Sequence, residues 1–266
     1  MCVLKSGGCA ALLAALVAPS VACAGAWTQP EGGGEVIVAG TGSSAVRQFQ
    51  RGGMTNIPTY SKYELQGLIE YGITNRFTLM FMPGLQHVDI GAPTNSSRTG
   101  LGYTEAGGRY KFWNNESWVV SGQASVRVPG TSDNANPAAV GYTGYEYDVR
   151  GLLGHSFTLG RMPAFFDLQL AQRFRDNGYP SEFRADFTFG FRPSARWLVL
   201  AQSFNVFSEG TGGPLAPNSY EYYKFQLSGI YSITPKLGVQ AGAFTTYAGR
   251  NALQENGGTL GVWYKF

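Results

Sequence analysis

Charged residues in this chain recur at every second position. Glu146, Asp148 and Arg150 form one run, Arg184 and Asp186 another, Lys62 and Glu64 a third. Glu70, Arg76, Glu105, Arg109, Lys111, Arg127, Asp167, Arg173, Arg175, Arg192, Lys224 and Lys236 fall on the same parity of their own segments. That spacing puts each set on one face of an extended strand. Two chemistries follow. Buried charges must be paired or hydrated, so charges on neighbouring strands would form an ion-pair network that stiffens an enclosed interior. If they line a hydrated passage instead, their slight basic excess gives a mild preference for anions. Tyr103, Trp113, Phe165, Tyr222, Phe244 and Trp263 share these faces. Rings beside charges and amides suit sugars or aromatic acids, and they equally serve to fill an interior.

Enzyme chemistry finds no constellation. The two histidines, His87 and His155, belong to opposite ends of the strand pattern. His155 and Ser156 are adjacent, so a strand points them to opposite faces and they form no base–nucleophile pair. An outward His155 also lacks the Ser and Asn that a barrel-type membrane phospholipase sets beside it. No G-x-S-x-G, H-E-x-x-H or phosphate loop occurs. Asp133, Asn134 and Asn136 lack the Gly and terminal Glu of a calcium loop and read as a solvated loop tip. Cys2, Cys9 and Cys23 all precede residue 25, so no thiol site or disulfide is expected beyond it. We therefore expect no enzyme, no catalytic residues, no metal and no cofactor.

The elements that must hold these faces have two-residue periodicity almost throughout. Phe183, Ala185, Phe187, Phe189 and Phe191 oppose Arg184, Asp186, Thr188, Gly190 and Arg192. Twelve strands are expected, at 35–50, 59–72, 75–87, 101–113, 115–128, 142–157, 161–175, 182–192, 195–208, 219–233, 236–248 and 257–266. Short turns alternate with long polar loops at 51–58, 88–100, 129–141, 176–181, 209–218 and 249–256. No amphipathic helix pattern appears that could cover a sheet. The fold class is thus all-β: a transmembrane antiparallel up-and-down barrel with short periplasmic turns and long external loops. Ten strands with an irregular N-terminus is the alternative. Pro83 falls inside the third strand, where a closed barrel has no edge to hide it, so a bulge is expected there.

The two ends fit this class. Lys5, the apolar run Cys9 to Val21 and Ala22-Cys23-Ala24 read as a secretory leader cut after Ala24. Ser20 stands where a lipidation site at Cys23 wants an aliphatic residue. Residues 25–266 then form one barrel. At the other end Phe266, Tyr264, Val262 and Leu260 share one apolar face of a strand running to the last residue. This resembles the C-terminal signal that the barrel-assembly machinery of the Gram-negative outer membrane reads. Composition agrees, with 37 Gly, 17 Phe, 15 Tyr and 14% charged residues. A net charge of +3 is too small to argue for nucleic acid.

Two segments carry a further resemblance. Gly25-Ala26-Trp27-Thr28-Gln29-Pro30-Glu31-Gly32-Gly33-Gly34-Glu35-Val36-Ile37 resembles XagA proteins, as does Glu70-Tyr71-Gly72-Ile73-Thr74-Asn75-Arg76-Phe77-Thr78-Leu79. The second also resembles the wider group of outer-membrane barrels named after the meta-pathway of phenol degradation. Both motifs mark turns and strands, so no functional residue is carried over. The XagA resemblance implies an outer-membrane component of exopolysaccharide secretion and biofilm formation. The wider group implies a transporter of small, often aromatic, molecules. Three functions follow as expectations: a conduit or accessory for a polysaccharide, a small-solute uptake channel, or a structural or adhesive barrel with a filled lumen. Outer-membrane lipid and the assembly machinery are the expected partners in each.

Deleting Phe266 is expected to lower the amount of assembled, heat-modifiable protein in outer-membrane fractions. Gel mobility with and without boiling measures this, and normal levels of the truncated form would refute the signal.

Overall fold

Backbone groups in a spanning sheet find partners only on neighbouring strands, so the pairing table defines this molecule. A computed structural model describes residues 25–130, 138, 144–211 and 219–266. Their strands are β1 (Gly34–Gln50), β2 (Gly53–Thr74), β3 (Phe77–Met82), β4 (Gly84–Ile90), β5 (Ser96–Leu101), β6 (Thr104–Asn114), β7 (Trp118–Val128), β8 (Glu146–Leu159), β9 (Met162–Arg175), β10 (Glu182–Ser194), β11 (Trp197–Ser208), β12 (Glu221–Ser232), β13 (Leu237–Arg250), β14 (Ala252–Leu253) and β15 (Asn256–Lys265). No helix of these residues is long and apolar enough to cross a membrane. Each strand pairs antiparallel with its neighbours, and β1 pairs with both β2 and β15. The sheet is therefore a closed barrel of 12 strands.

Fifteen segments make twelve staves for a physical reason. β3 and β4 both pair with β2, on either side of Pro83. Proline has no N–H to donate, so the ladder breaks there, but its carbonyl still accepts from Gly67 N at 3.0 Å. β5 and β6 continue one another in the same way beside β4 and β3. β14 is a short addition in the last connection, paired with β1. Ten strands are excluded.

Several boundaries differ from the sequence expectation. The stretch 51–58 is not a loop, because β1 and β2 run as a hairpin to the pair Gln50 and Gly53. β4 and β5 take up most of the expected loop 88–100. Asp133, Asn134 and Asn136 lie outside the described residues, as do most of the 129–141 and 209–218 loops and the whole leader.

Alternation sorts the side chains. Leu260, Val262, Tyr264 and Phe266 are on the outside, with Leu260 70% exposed. Val38, Tyr63, Leu65, Leu79, Phe187 and Leu227 join them from other strands. So much exposed apolar surface would be costly in water, and around a closed barrel it forms a lipid-facing band. Polar residues and a few large apolar ones turn inward.

The seam is where β1 meets β15. The pairs run from Glu35 with Lys265 to Ser44 with Asn256. Beyond them Phe266 N donates to Gly34 O at 3.0 Å and Gly34 N to Phe266 O at 3.2 Å. The Phe266 ring stacks on Tyr71 of β2 at 6.4 Å. A Cβ at Gly34 would overlap Glu70 O and the Phe266 ring. Gly34→Val should destabilise the folded barrel by roughly 1–3 kcal/mol through this overpacking. Urea titration of the detergent-folded protein reads the shift, and an unchanged midpoint would contradict it.

Candidate functional site

The inward charges pair in register. Glu105 stands opposite Arg127, Arg127 opposite Glu146, and Glu146 opposite Arg175. The side chains follow the ladder: Arg127 contacts Glu105 at 3.2 Å and also Glu146, Arg175 reaches Glu146 at 3.0 Å, and Arg175 meets Glu182 at 3.1 Å. Arg173 holds Asp148 at 3.0 Å, and Arg150 joins Asp148 at 3.3 Å to Asp186 at 2.8 Å. Arg184 pairs with Glu182 at 3.3 Å. The result is a continuous network across β6–β10, in the half of the barrel nearer the long connections. Charges buried this far are tolerable because each meets an opposite one. Tyr103 lies under the Arg127 guanidinium at 4.4 Å, and Tyr220 bridges Arg175 and Glu182.

A second cluster gathers on Glu255, which Lys224 contacts at 2.8 Å, Lys62 at 3.7 Å and the Ser43 hydroxyl at 2.6 Å. Lys62 also lies 3.8 Å from Glu64. Sequence reasoning missed Glu255, because it sits in a connection, and Glu182, although it shares the parity of Arg184. It also missed Glu35, buried on the inward face of β1.

The opposite half of the lumen is occupied by the chain itself. Residues 25–33 enter at the end bearing the short turns and run back to the rim before β1. Ala26 is completely buried. Its N–H donates to Asp167 Oδ2 at 2.6 Å, and its carbonyl accepts from the Ser121 hydroxyl. Arg109 Nη1 donates to Trp27 O at 2.9 Å while Nη2 pairs with Glu70 at 3.0 Å. Gln29 donates from Nε2 to Glu70 and from its backbone N to Thr78. Glu31 and Gly32 close the return against Asn75 and Gly72. The Trp27 ring meets Phe165 edge-on at 5.7 Å. Gly154 leaves it room, since a Cβ there would lie 2.7 Å from Trp27 Cη2.

Trp27 packs against an inward apolar cluster of Ile37, Phe165, Leu198, Leu200, Ile230 and Trp263. This explains why the start of β11 is apolar on both faces: one meets lipid and the other the stopper. Above the cluster lies a cavity of about 330 Å³. Gln66, Gln202, Gln226 and Gln240 supply its amides, Phe165, Phe204 and Trp263 its rings, and Asp167 borders it. Trp263 Nε1 donates to Gln240 Oε1 at 2.8 Å.

The placements of the sequence candidates are mixed. Glu70, Arg109, Glu146, Asp148, Asp167, Arg173 and Asp186 are buried. Lys62, Glu64, Glu105, Arg127, Arg150, Arg184 and Lys224 belong to the ion pairs above. Arg76 does not line the lumen; it is exposed in the tight turn between β2 and β3, and so is Lys236 in the turn before β13. Trp113 faces outward, 52% exposed, because a bulge between Lys111 and Trp113 reverses the parity of β6. His155 stacks on Trp118 at 4.0 Å on the outer surface, whereas Ser156 pairs beside the inward Phe165. His87 meets Thr99 at 2.7 Å near Tyr63. Among the described residues no group of three or more His, Cys, Asp and Glu is arranged to hold a metal.

No protein-family model matches the chain, and no curated protein matches it. Solved structures do resemble it. An outer membrane channel from Pseudomonas putida F1 superposes on 92% of this chain and 100% of its own, with TM-score 0.74 and 15% identity. The NanC porin covers 87% of this chain and 100% of its own, with TM-score 0.57 and 11% identity. The translocator domain of the autotransporter NalP from Neisseria meningitidis covers 88% of each, with TM-score 0.55 and 11% identity. What the chain shares with all three is the outer-membrane β-barrel fold.

Arg109 ties the stopper to the wall through Trp27 O and Glu70. Arg109→Ala leaves Glu70 as an uncompensated buried charge and should cost about 3–5 kcal/mol. The double variant Glu70→Gln with Arg109→Met should cost less than the single one. Urea unfolding of the three proteins in the same detergent decides this, and a mild single-variant effect would argue against the tie.

Proposed function

We propose that this protein is a non-enzymatic channel of the Gram-negative outer membrane for small organic solutes, held closed from the periplasmic side by residues 25–33. The observation that carries the reading is the cavity of about 330 Å³ in the lumen, walled by glutamine amides and aromatic rings and bordered by the apolar cluster against which Trp27 packs. Its volume is at the lower end for a drug-sized ligand, and a mostly apolar wall with a few convergent polar groups is what such ligands occupy. Rings and neutral amides suit an uncharged or weakly anionic aromatic compound. The paired charges at the end bearing the long connections leave little free charge to select an ion strongly. The periplasmic assignment follows from an even strand count, which puts both ends of the barrel on the side of the short turns.

A second reading is an accessory for exopolysaccharide secretion. What favours it is that Gly25–Ile37, the segment resembling XagA proteins, is the one that fills the barrel mouth and begins β1. In that reading the stopper would move when a polysaccharide or a periplasmic partner engages it.

Planar bilayers separate the outcomes. The wild-type barrel should show small or brief conductance steps, and removal of residues 25–33 or Gly154→Leu should raise open time at least about tenfold. An aromatic acid added to one side should reduce current through the opened form. A deletion strain that loses polysaccharide export while the opened barrel shows no block would favour the second reading. Silence from every variant would sink the first.

A further inference from the structure

Asp167 is 2% exposed. Among the described residues it makes no ion pair. Its oxygens take neutral donors only, Ala26 N–H on Oδ2 at 2.6 Å and Gln169 Nε2 on Oδ1 at 2.5 Å. The cations near it are committed elsewhere: Arg109 to Glu70, and Arg150 to Asp148 and Asp186. A carboxylate so enclosed needs a cation or a proton. What faces it is Gly25, itself buried. A Cβ on Gly25 would lie 2.8 Å from Oδ2 and 2.9 Å from the carboxyl carbon. The Gly25 nitrogen is one bond of about 1.5 Å from the same Cα.

We propose that Asp167 is the internal docking site for the α-ammonium created when the leader is removed after Ala24. A leader peptidase adds water across the Ala24–Gly25 amide. The C–N bond breaks, Ala24 keeps the new carboxylate, and the Gly25 amine takes up a proton. That cation then seats against Asp167 with the Ala26 N–H beside it. Before the cut, position 25 offers a neutral amide N–H and no charge. Two features fit the processed form: an enclosed carboxylate that meets no cation among the described residues, and a residue at position 25 with no side chain to collide with it. Docking locks the stopper only in processed protein, so closure of the barrel follows maturation of the chain. The inference rests on the leader reading of residues 1–24 and does not depend on what the channel carries.

The test uses protein exported to the outer membrane and purified in its folded, heat-modifiable form. Mass spectrometry should give Gly25 as the first residue. An amine-directed reagent at neutral pH reads the docked amine. Pairing that raises the amine pKa by one unit lowers its reactive neutral fraction about tenfold. Labelling at Gly25 should therefore be at least about tenfold slower in wild type than in Asp167→Asn. If Asp167→Asn fails to fold, a barrel with one alanine inserted before Gly25 keeps Asp167 and should label fast. Combining the two changes should add nothing further. A first residue other than Gly25, or equal labelling of wild type and both variants, overturns the proposal. Because labelling does not read conductance, these outcomes stand apart from success or failure of the channel reading.

Discussion

Everything in this molecule depends on closing the sheet. Hydrocarbon offers no hydrogen bonds, so every backbone N–H and C=O at membrane depth must find a partner in the chain. β1 and β15 must therefore meet, and they do so through a ten-residue ladder followed by the reciprocal bonds of Gly34 and Phe266. Closure costs the sheet its freedom to hide irregularities at an edge. Pro83 is absorbed by breaking one stave into β3 and β4 while β2 runs past both. The bulge at Lys111 and Trp113 spends one residue and sends an indole out to the lipid.

Closure also creates an interior, and the interior sets its own terms. With lipid outside, the polar face of every strand turns inward, where water is scarce. Antiparallel register then decides which charges meet. Glu105, Arg127, Glu146 and Arg175 follow one another across four strands with alternating sign. The opposite end carries the Arg109–Glu70 pair rather than such a network. It is filled by Ile37, Leu198, Ile230 and Trp263, and by Trp27 brought in on residues 25–33. The cavity lies where the two fillings fail to meet. A solute site of this kind is a gap left between a polar half and an apolar half, which is why its wall combines amides with rings.

Much of the wall was legible along the chain. Period-two alternation in β10 and β15 told inside from outside because a strand repeats every two residues whatever its neighbours do. It failed where the count of two was interrupted. Trp113 was expected inward and lies outward, since a bulge is invisible until the partner strand is known. Arg76 was assigned to the lumen by parity, but the chain turns there and the rule no longer applies. The 51–58 stretch reads as a polar loop, yet a hairpin extending beyond the membrane is free to be polar on both faces.

The stopper was not legible at all. Gly25 to Gly33 has no periodicity, and its bonds go to Ser121, Arg109, Glu70, Thr78 and Asp167, up to 141 residues away in sequence. By itself, then, the sequence determined the class of fold and the lipid and lumen faces of most strands. These are local consequences of alternation and composition. Only the tertiary structure decided which charges pair, that the mouth is filled by the first described residues, and where the cavity lies. Those depend on register and closure, which bring together residues that no local pattern relates.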